Sequence, residues 1–128
     1  MKIEKIHHVA VICSDYEQSK RFYTEVVGLK LLREVYRAER QSYKADLGIG
    51  DHYRIELFSF PNPPQRLSYP EACGLRHLAF AVADVETAVA ELKAANIEVE
   101  PIRIDAHTGK KCVFFPDPDG LPIELYEA

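Results

Sequence analysis

The chain has 128 residues and a mass of 14.6 kDa, one domain's worth of polypeptide. Apolar residues make up 47% and charged residues 28%, the balance of a globular protein and not of a disordered one. A net charge of −4 and an isoelectric point near 5.7 exclude the basic footprint that binding to nucleic acid requires.

The longest apolar run, Leu78 to Ala83, is far too short to span a bilayer. The start, Met1-Lys2-Ile3-Glu4-Lys5, lacks the apolar core of a signal peptide. Cys13, Cys73 and Cys112 are odd in number and show no CxxC spacing, so they read as reduced thiols. These features lead us to expect a cytoplasmic protein with a small-molecule partner, no nucleic acid and no membrane.

The first element in chain order is an apolar strand opened by His8 and followed by Asp15. Ser14 or Asp15 can cap a helix that runs to about Val27, with Glu17 or Gln18 placed for a capping box and Gly28 as the stop. Strands are expected at about 29–37, 42–49 and 52–60, with Gly48 and Gly50-Asp51 marking a turn. Residues 61–73 hold four of the eight prolines and read as a stiff extended connector. A second apolar strand then opens with His77 and is followed by Asp84, which can cap a helix to about Ala95. Asn96 serves as a left-handed stop. Further strands are expected at about 97–104, 111–116 and 121–127, with turns at His107-Thr108-Gly109 and Pro118-Asp119-Gly120.

The order β-α-β-β-β therefore occurs twice. The repeat can be read residue by residue. Asp15 follows His8 by seven positions, and Asp84 follows His77 by the same interval. Ile55-Glu56-Leu57-Phe58 is matched by Ile123-Glu124-Leu125-Tyr126. His8 and Glu56 are 48 positions apart, His77 and Glu124 are 47. We expect one α+β domain over 1–128, with module 1 at about 3–60, a linker at 61–73 and module 2 at about 74–128.

Alternation along the strands decides which residues share a face. His8 falls with Ala10 and Ile12, and His77 with Ala79 and Ala81. Glu56 falls with Arg54, Phe58 and Phe60, and Glu124 with Pro122 and Tyr126. Small residues beside each His leave room for a ligand, and a curved mixed sheet with a concave cavity is the simplest geometry. A glutamate in an apolar strand is costly unless paired or bound to a cation. Two imidazoles and two carboxylates in twofold correspondence suit one divalent metal ion of borderline hardness: Zn, Ni, Co, Mn or Fe. His7, on alternation, points away from His8. His52 and His107 sit in turns. None of these three is expected to be a ligand. Arg37, Arg40, Arg54, Lys110 and Lys111 read as solvated charges.

Ile6-His7-His8-Val9-Ala10-Val11, Ser19 to Leu32, Ile55-Glu56-Leu57, Arg76 to Val82 and Phe115 to Leu125 together resemble the vicinal oxygen chelate superfamily, and within it the glyoxalase I-like proteins of the lactoylglutathione lyase type. The resemblance covers nearly the whole chain. It implies the glyoxalase/bleomycin resistance/dioxygenase fold, in which tandem βαβββ modules form a cup around a metal held here by His8, Glu56, His77 and Glu124. The carboxylate at Glu56 favours the isomerase branch. Ring-cleaving dioxygenases and fosfomycin-modifying relatives typically use three protein ligands.

The chemistry this implies is proton transfer beside a substrate oxygen polarised by the metal. Glu124 is assigned as the base, with Glu56 nearly interchangeable by pseudo-symmetry. Where bacterial glutathione-using relatives carry an Arg and an Asn, this chain has Ile12 and Phe60. With Phe58 these are the candidate substrate-binding residues, and they form an apolar wall that does not suit glutathione. The expected function is a metal-dependent lyase or isomerase acting on a small carbonyl substrate. The alternatives are an Fe(II) dioxygenase and a small-molecule-binding module of the antibiotic-resistance type. Chains of this fold often pair, so a homodimer is expected.

Overall fold

The structure is a computed structural model describing residues 1–128. It divides into two compact units, Met1–Gln65 and Arg66–Ala128. The first contains β1 (Val9–Cys13), α1 (Tyr16–Arg21), β2 (Lys30–Arg37), β3 (Ser42–Ile49) and β4 (His52–Ser59). The second contains β5 (Leu78–Val82), α2 (Val85–Ala94), β6 (Arg103–Ile104), β7 (Lys111–Pro116) and β8 (Pro122–Glu127).

Each unit builds one four-stranded mixed sheet, in the orders β1-β4-β3-β2 and β5-β8-β7-β6. The first and last strands of each module pair in parallel and the other pairs are antiparallel. The α+β class and the double βαβββ order expected from the repeat are both present. No helix is long and apolar enough to cross a membrane.

Alternation sorts the side chains as their chemistry demands. Val11, Cys13, Ala45, Leu47, Ile55 and Leu57 are buried on one side of the first sheet. On the second, Val113, Phe115, Ile123 and Leu125 are buried, and α2 packs on β7 and β8 through an apolar stripe that includes Val85, Val89 and Leu92. Fully burying one such side chain stabilises by roughly 1.5–3 kcal/mol. A one-residue slip would expose the whole set, so the register is strongly specified. The opposite face mixes polar, small and aromatic residues: Ala10, Ile12, Glu56 and Phe58 on the first sheet, Ala79, Phe114 and Glu124 on the second.

The helices begin at the expected caps. The Asp15 carboxylate accepts from the Gln18 N–H at 3.1 Å, and the Asp84 carboxylate accepts from the Glu86 N–H at 3.0 Å. Asn96 adopts φ 60° as the stop after α2. Three details differ from expectation. The first helix widens into a π turn over Phe22–Val26, closed by Val27 N–H to Phe22 O at 3.0 Å. The wider turn carries both Phe22 and Tyr23 to buried positions.

Gly48 lies inside β3 and not at the turn, which Gly50 makes with φ 57°. Gly48 stands at a register shift, and a Cβ there would meet Leu32 Cδ1 at 2.8 Å. Close approach of neighbouring chain is its reason. The strand expected at 97–104 is confined to Arg103–Ile104. Pro101 has no N–H to give to the ladder, and one isolated bond, Glu100 N–H to Phe114 O at 2.9 Å, precedes it.

Residues 66–73 of the connector are tied into the second unit. Arg66 donates to Leu75 O and Arg76 O at 2.5 and 3.0 Å, and the Ser68 hydroxyl donates to Gly120 O at 2.7 Å.

Candidate active site: two matched histidine–glutamate pairs

In each unit the parallel strand pair creates the same juxtaposition. Ala10 is the register partner of Glu56, and Ala79 that of Glu124. The histidine lies two residues before that alanine. The small side chain between them lets the ring lean toward the carboxylate. His8 Nε2 stands 3.5 Å from Glu56 Oε2, and His77 Nε2 stands 3.1 Å from Glu124 Oε2. Both histidine side chains are 36% exposed and both glutamate side chains 13%.

The structure thus brings His8 to Glu56 and His77 to Glu124. No group of three or more His, Cys, Asp or Glu side chains is arranged to hold a metal ion in this structure. The donor chemistry of each pair, one imidazole nitrogen and one carboxylate oxygen, is of the kind that suits a divalent metal ion.

The two pairs have different surroundings. Glu56 also accepts a hydrogen bond from the Tyr53 hydroxyl and pairs with Lys44 Nζ at 3.0 Å. Lys44 in turn faces Asp46 Oδ1 at 3.3 Å. The Tyr53 ring stacks on His8 with centroids 5.3 Å apart. At the equivalent positions beside Glu124 the second sheet has Phe114 and Cys112. Phe114 is the register partner of Glu124 and meets the His77 ring edge-on at 5.2 Å.

Burial disfavours the Glu56 charge, but the bonds from Tyr53 and Lys44 outweigh it and hold the carboxyl below the usual range. The bond to Glu56 raises Lys44, and burial followed by the same carboxylate raises Tyr53. Burial, then the Glu124 charge, pushes the Cys112 thiol up.

Lys44, Asp46 and Tyr53 were not among the residues the sequence singled out. Lys44 and Asp46 carry a signal, since they alternate onto one face of β3. Only the register Asp46↔Glu56 shows that this face is the one holding Glu56. His7 corrects its expected placement. Its Nδ1 lies 2.8 Å from His8 Nδ1, and its ring packs edge-on against Tyr53 at 5.4 Å. The strand begins only at Val9, so strand alternation does not apply to His7 and His8.

Of the candidate substrate-binding residues, Ile12 is the register partner of Phe58 and is 56% exposed. Phe58 and Phe60 stack at 5.8 Å. All three belong to the Glu56 face of the first sheet. Arg37, expected to be a solvated charge, is half-buried with its Nε shielded from solvent.

The model of the Glyoxalase/Bleomycin resistance protein/Dioxygenase superfamily matches residues 5–125. The chain is 58% identical over 127 residues to the uncharacterized protein YwkD of Bacillus subtilis, covering 99% of each. It is 30% identical to a Vibrio parahaemolyticus protein named "Probable lactoylglutathione lyase", covering 96% of this chain and 90% of that one. The crystal structure of a glyoxalase family protein from Enterococcus faecalis superimposes with a TM-score of 0.90 at 50% identity, covering 99% of this chain and 100% of that one. Matched over nearly its whole length, the chain belongs to the Glyoxalase/Bleomycin resistance protein/Dioxygenase superfamily.

Proposed function

We propose that the chain is a metal-dependent lyase or isomerase of the glyoxalase I type, which moves a proton between adjacent carbons of a small carbonyl substrate. The observation that carries this reading is the recurrence of one His–Glu pair at the same register position in both modules. His8, Glu56, His77 and Glu124 are the residues that would hold one divalent ion: Zn, Ni, Co, Mn or Fe. When bound, the ion supplies Lewis acidity to a substrate carbonyl or hydroxyl oxygen. The relative named as a lactoylglutathione lyase supports the same chemistry.

The remaining work falls to the side chains. Glu124 takes the proton from one carbon and returns it to the next. Its carboxylate faces His77 and lies near the Cys112 thiol, which its charge helps to keep protonated. Glu56 is pinned by Tyr53 and Lys44, which suits a fixed anionic ligand better than a carboxylate that must swing. Ile12, Phe58 and Phe60 lie on the Glu56 face of the sheet, where their apolar parts would shield the substrate from water.

The test is metal analysis of the purified chain, followed by a substrate panel. Turnover of methylglyoxal with one of several thiols, abolished by chelation and restored by a divalent ion, is the expected result. Oxygen consumption with catechols would identify a dioxygenase instead. A chain that binds no metal and turns over neither class would be a binding module.

A further inference from the structure

The Glu56 face of the first sheet carries a second feature. Phe58 lies two residues beyond Glu56 on β4, and Phe60 follows at the strand's end. Their rings stack with planes 12° apart. The Arg37 guanidinium, at the end of β2, lies over Phe58 with Cζ 5.0 Å from the ring centroid. The Arg40 guanidinium, in the short 3₁₀ turn after β2, lies over Phe60 at 5.3 Å. Two cations are thereby anchored on neighbouring rings.

Neither arginine forms an ion pair with a carboxylate. Arg37 gives one N–H to the Ser42 hydroxyl at 3.1 Å, while its Nε is shielded from solvent and has no hydrogen-bond partner. A buried donor without an acceptor is destabilising. A guanidinium lying over a ring can still offer N–H groups to the paired oxygens of an oxyanion: Arg40 is exposed, and Arg37 has committed one Nη to Ser42. The chain has a net charge of −4, so overall charge does not account for two unpaired cations at this spot.

We propose that Arg37 and Arg40, on the Phe58–Phe60 shelf, bind an oxyanion group, a carboxylate or a phosphate, carried by the substrate. The role as a substrate subsite rests on the proton-transfer reading above; the anion site itself stands on these four residues. At about 3.3 Å per residue, the shelf lies roughly 7–13 Å along β4 from Glu56. The substrate is therefore an anionic carbonyl compound whose acidic group sits that far from Glu56.

The test is an amide-resolved NMR titration of the full chain at low ionic strength, with inorganic phosphate in one arm and succinate in the other. Saturable shifts at residues 37–42 and 58–60 are expected in at least one arm, and the tighter arm tells phosphate from carboxylate. The Arg37→Gln/Arg40→Gln pair should weaken that binding at least about tenfold through loss of the charged forks, while Glu56→Gln should leave it in place. If the double variant unfolds, Arg40→Gln alone, at an exposed position, should weaken binding several-fold. No saturable shift in either arm, or parent-like binding in a folded arginine variant, overturns the proposal. Anion binding that persists in a chain without metal or turnover would instead count against the proposed function and leave the anion site standing.

Discussion

Glu56 and Glu124 occupy the same register position in their sheets, opposite Ala10 and Ala79, and differ in what else holds them. Each faces its histidine, but Glu56 is also bonded to a lysine ammonium and a phenol hydroxyl, whereas Glu124 stands opposite Phe114 and near the Cys112 thiol. The pseudo-symmetry of the chain therefore stops at the neighbours of the two carboxylates. We infer a division of labour from this, with Glu56 as the fixed carboxylate and Glu124 as the one that moves a proton.

That division predicts unequal mutants. Glu124→Gln should lower kcat by ~10²–10⁴, the usual contribution of a positioned general base, while keeping an oxygen donor for the metal. Glu56→Gln should cost less. Steady-state kinetics on the substrate found in the panel, with metal content measured on the same samples, checks both. Equal losses would mean that the carboxylates share the proton transfer.

Metal binding should depend on both modules. The chain should hold about one divalent ion, because four nitrogen and oxygen donors make one set. His8→Ala and His77→Ala should each weaken it by at least ~100-fold, more than the loss of an outer-shell partner causes. Competition with a chelating dye measures this. Parent-like affinity in both variants would place the metal elsewhere.

The chain should form a homodimer at micromolar concentration. Equilibrium sedimentation should give twice the 14.6 kDa chain mass. A single species at the chain mass would remove this expectation.

Acid stability should depend on Glu34, away from the site. Its carboxylate accepts from Lys20 Nζ at 2.8 Å and from the Tyr16 hydroxyl at 2.6 Å, and these bonds hold its pKa below the usual value. A lowered folded pKa stabilises the protein above the unfolded value, and that contribution is lost as pH falls through the folded value. Glu34→Gln should flatten the acid limb of a urea-midpoint-against-pH curve below about pH 4.5. Because the pair is partly solvated, its effect at pH 7 should stay within about 1 kcal/mol.

The two faces of the first sheet should respond oppositely to truncation. Leu57 is fully buried and Ile12 is 56% exposed. Leu57→Ala should cost ~2–5 kcal/mol in unfolding free energy, through lost transfer energy and the cavity left behind. Ile12→Ala should stay within about 0.5 kcal/mol. Urea denaturation of both variants separates them.

Much of the architecture is a local property of the chain. The buried faces of β1, β4, β5 and β8 follow from period-2 alternation. The starts of both helices follow from Asp15 and Asp84, whose carboxylates have backbone N–H groups within reach whatever the rest of the protein does. The matching of His8 with Glu56 and of His77 with Glu124 follows from the chain saying the same thing twice. Where a local rule met a competing one, the outcome lay with tertiary structure. Phe22 and Tyr23 both had to be buried, and the helix widened to allow it. Pro101 cut a strand that periodicity alone would extend.

What the sequence could not supply is the lateral neighbourhood of each site residue. Lys44 reaches Glu56, and Arg37 reaches Phe58, only through the pairing of β2, β3 and β4, while Tyr53 reaches Glu56 along β4 itself, where the register shift beside Gly48 interrupts simple alternation. That pairing depends on burying Ala45, Leu47, Ile55 and Leu57 together on the other side of the sheet. A strand's own pattern determines which way its side chains point. Which side chains stand beside them is set by the register of strands far apart in sequence, and so by the packing of the core as a whole.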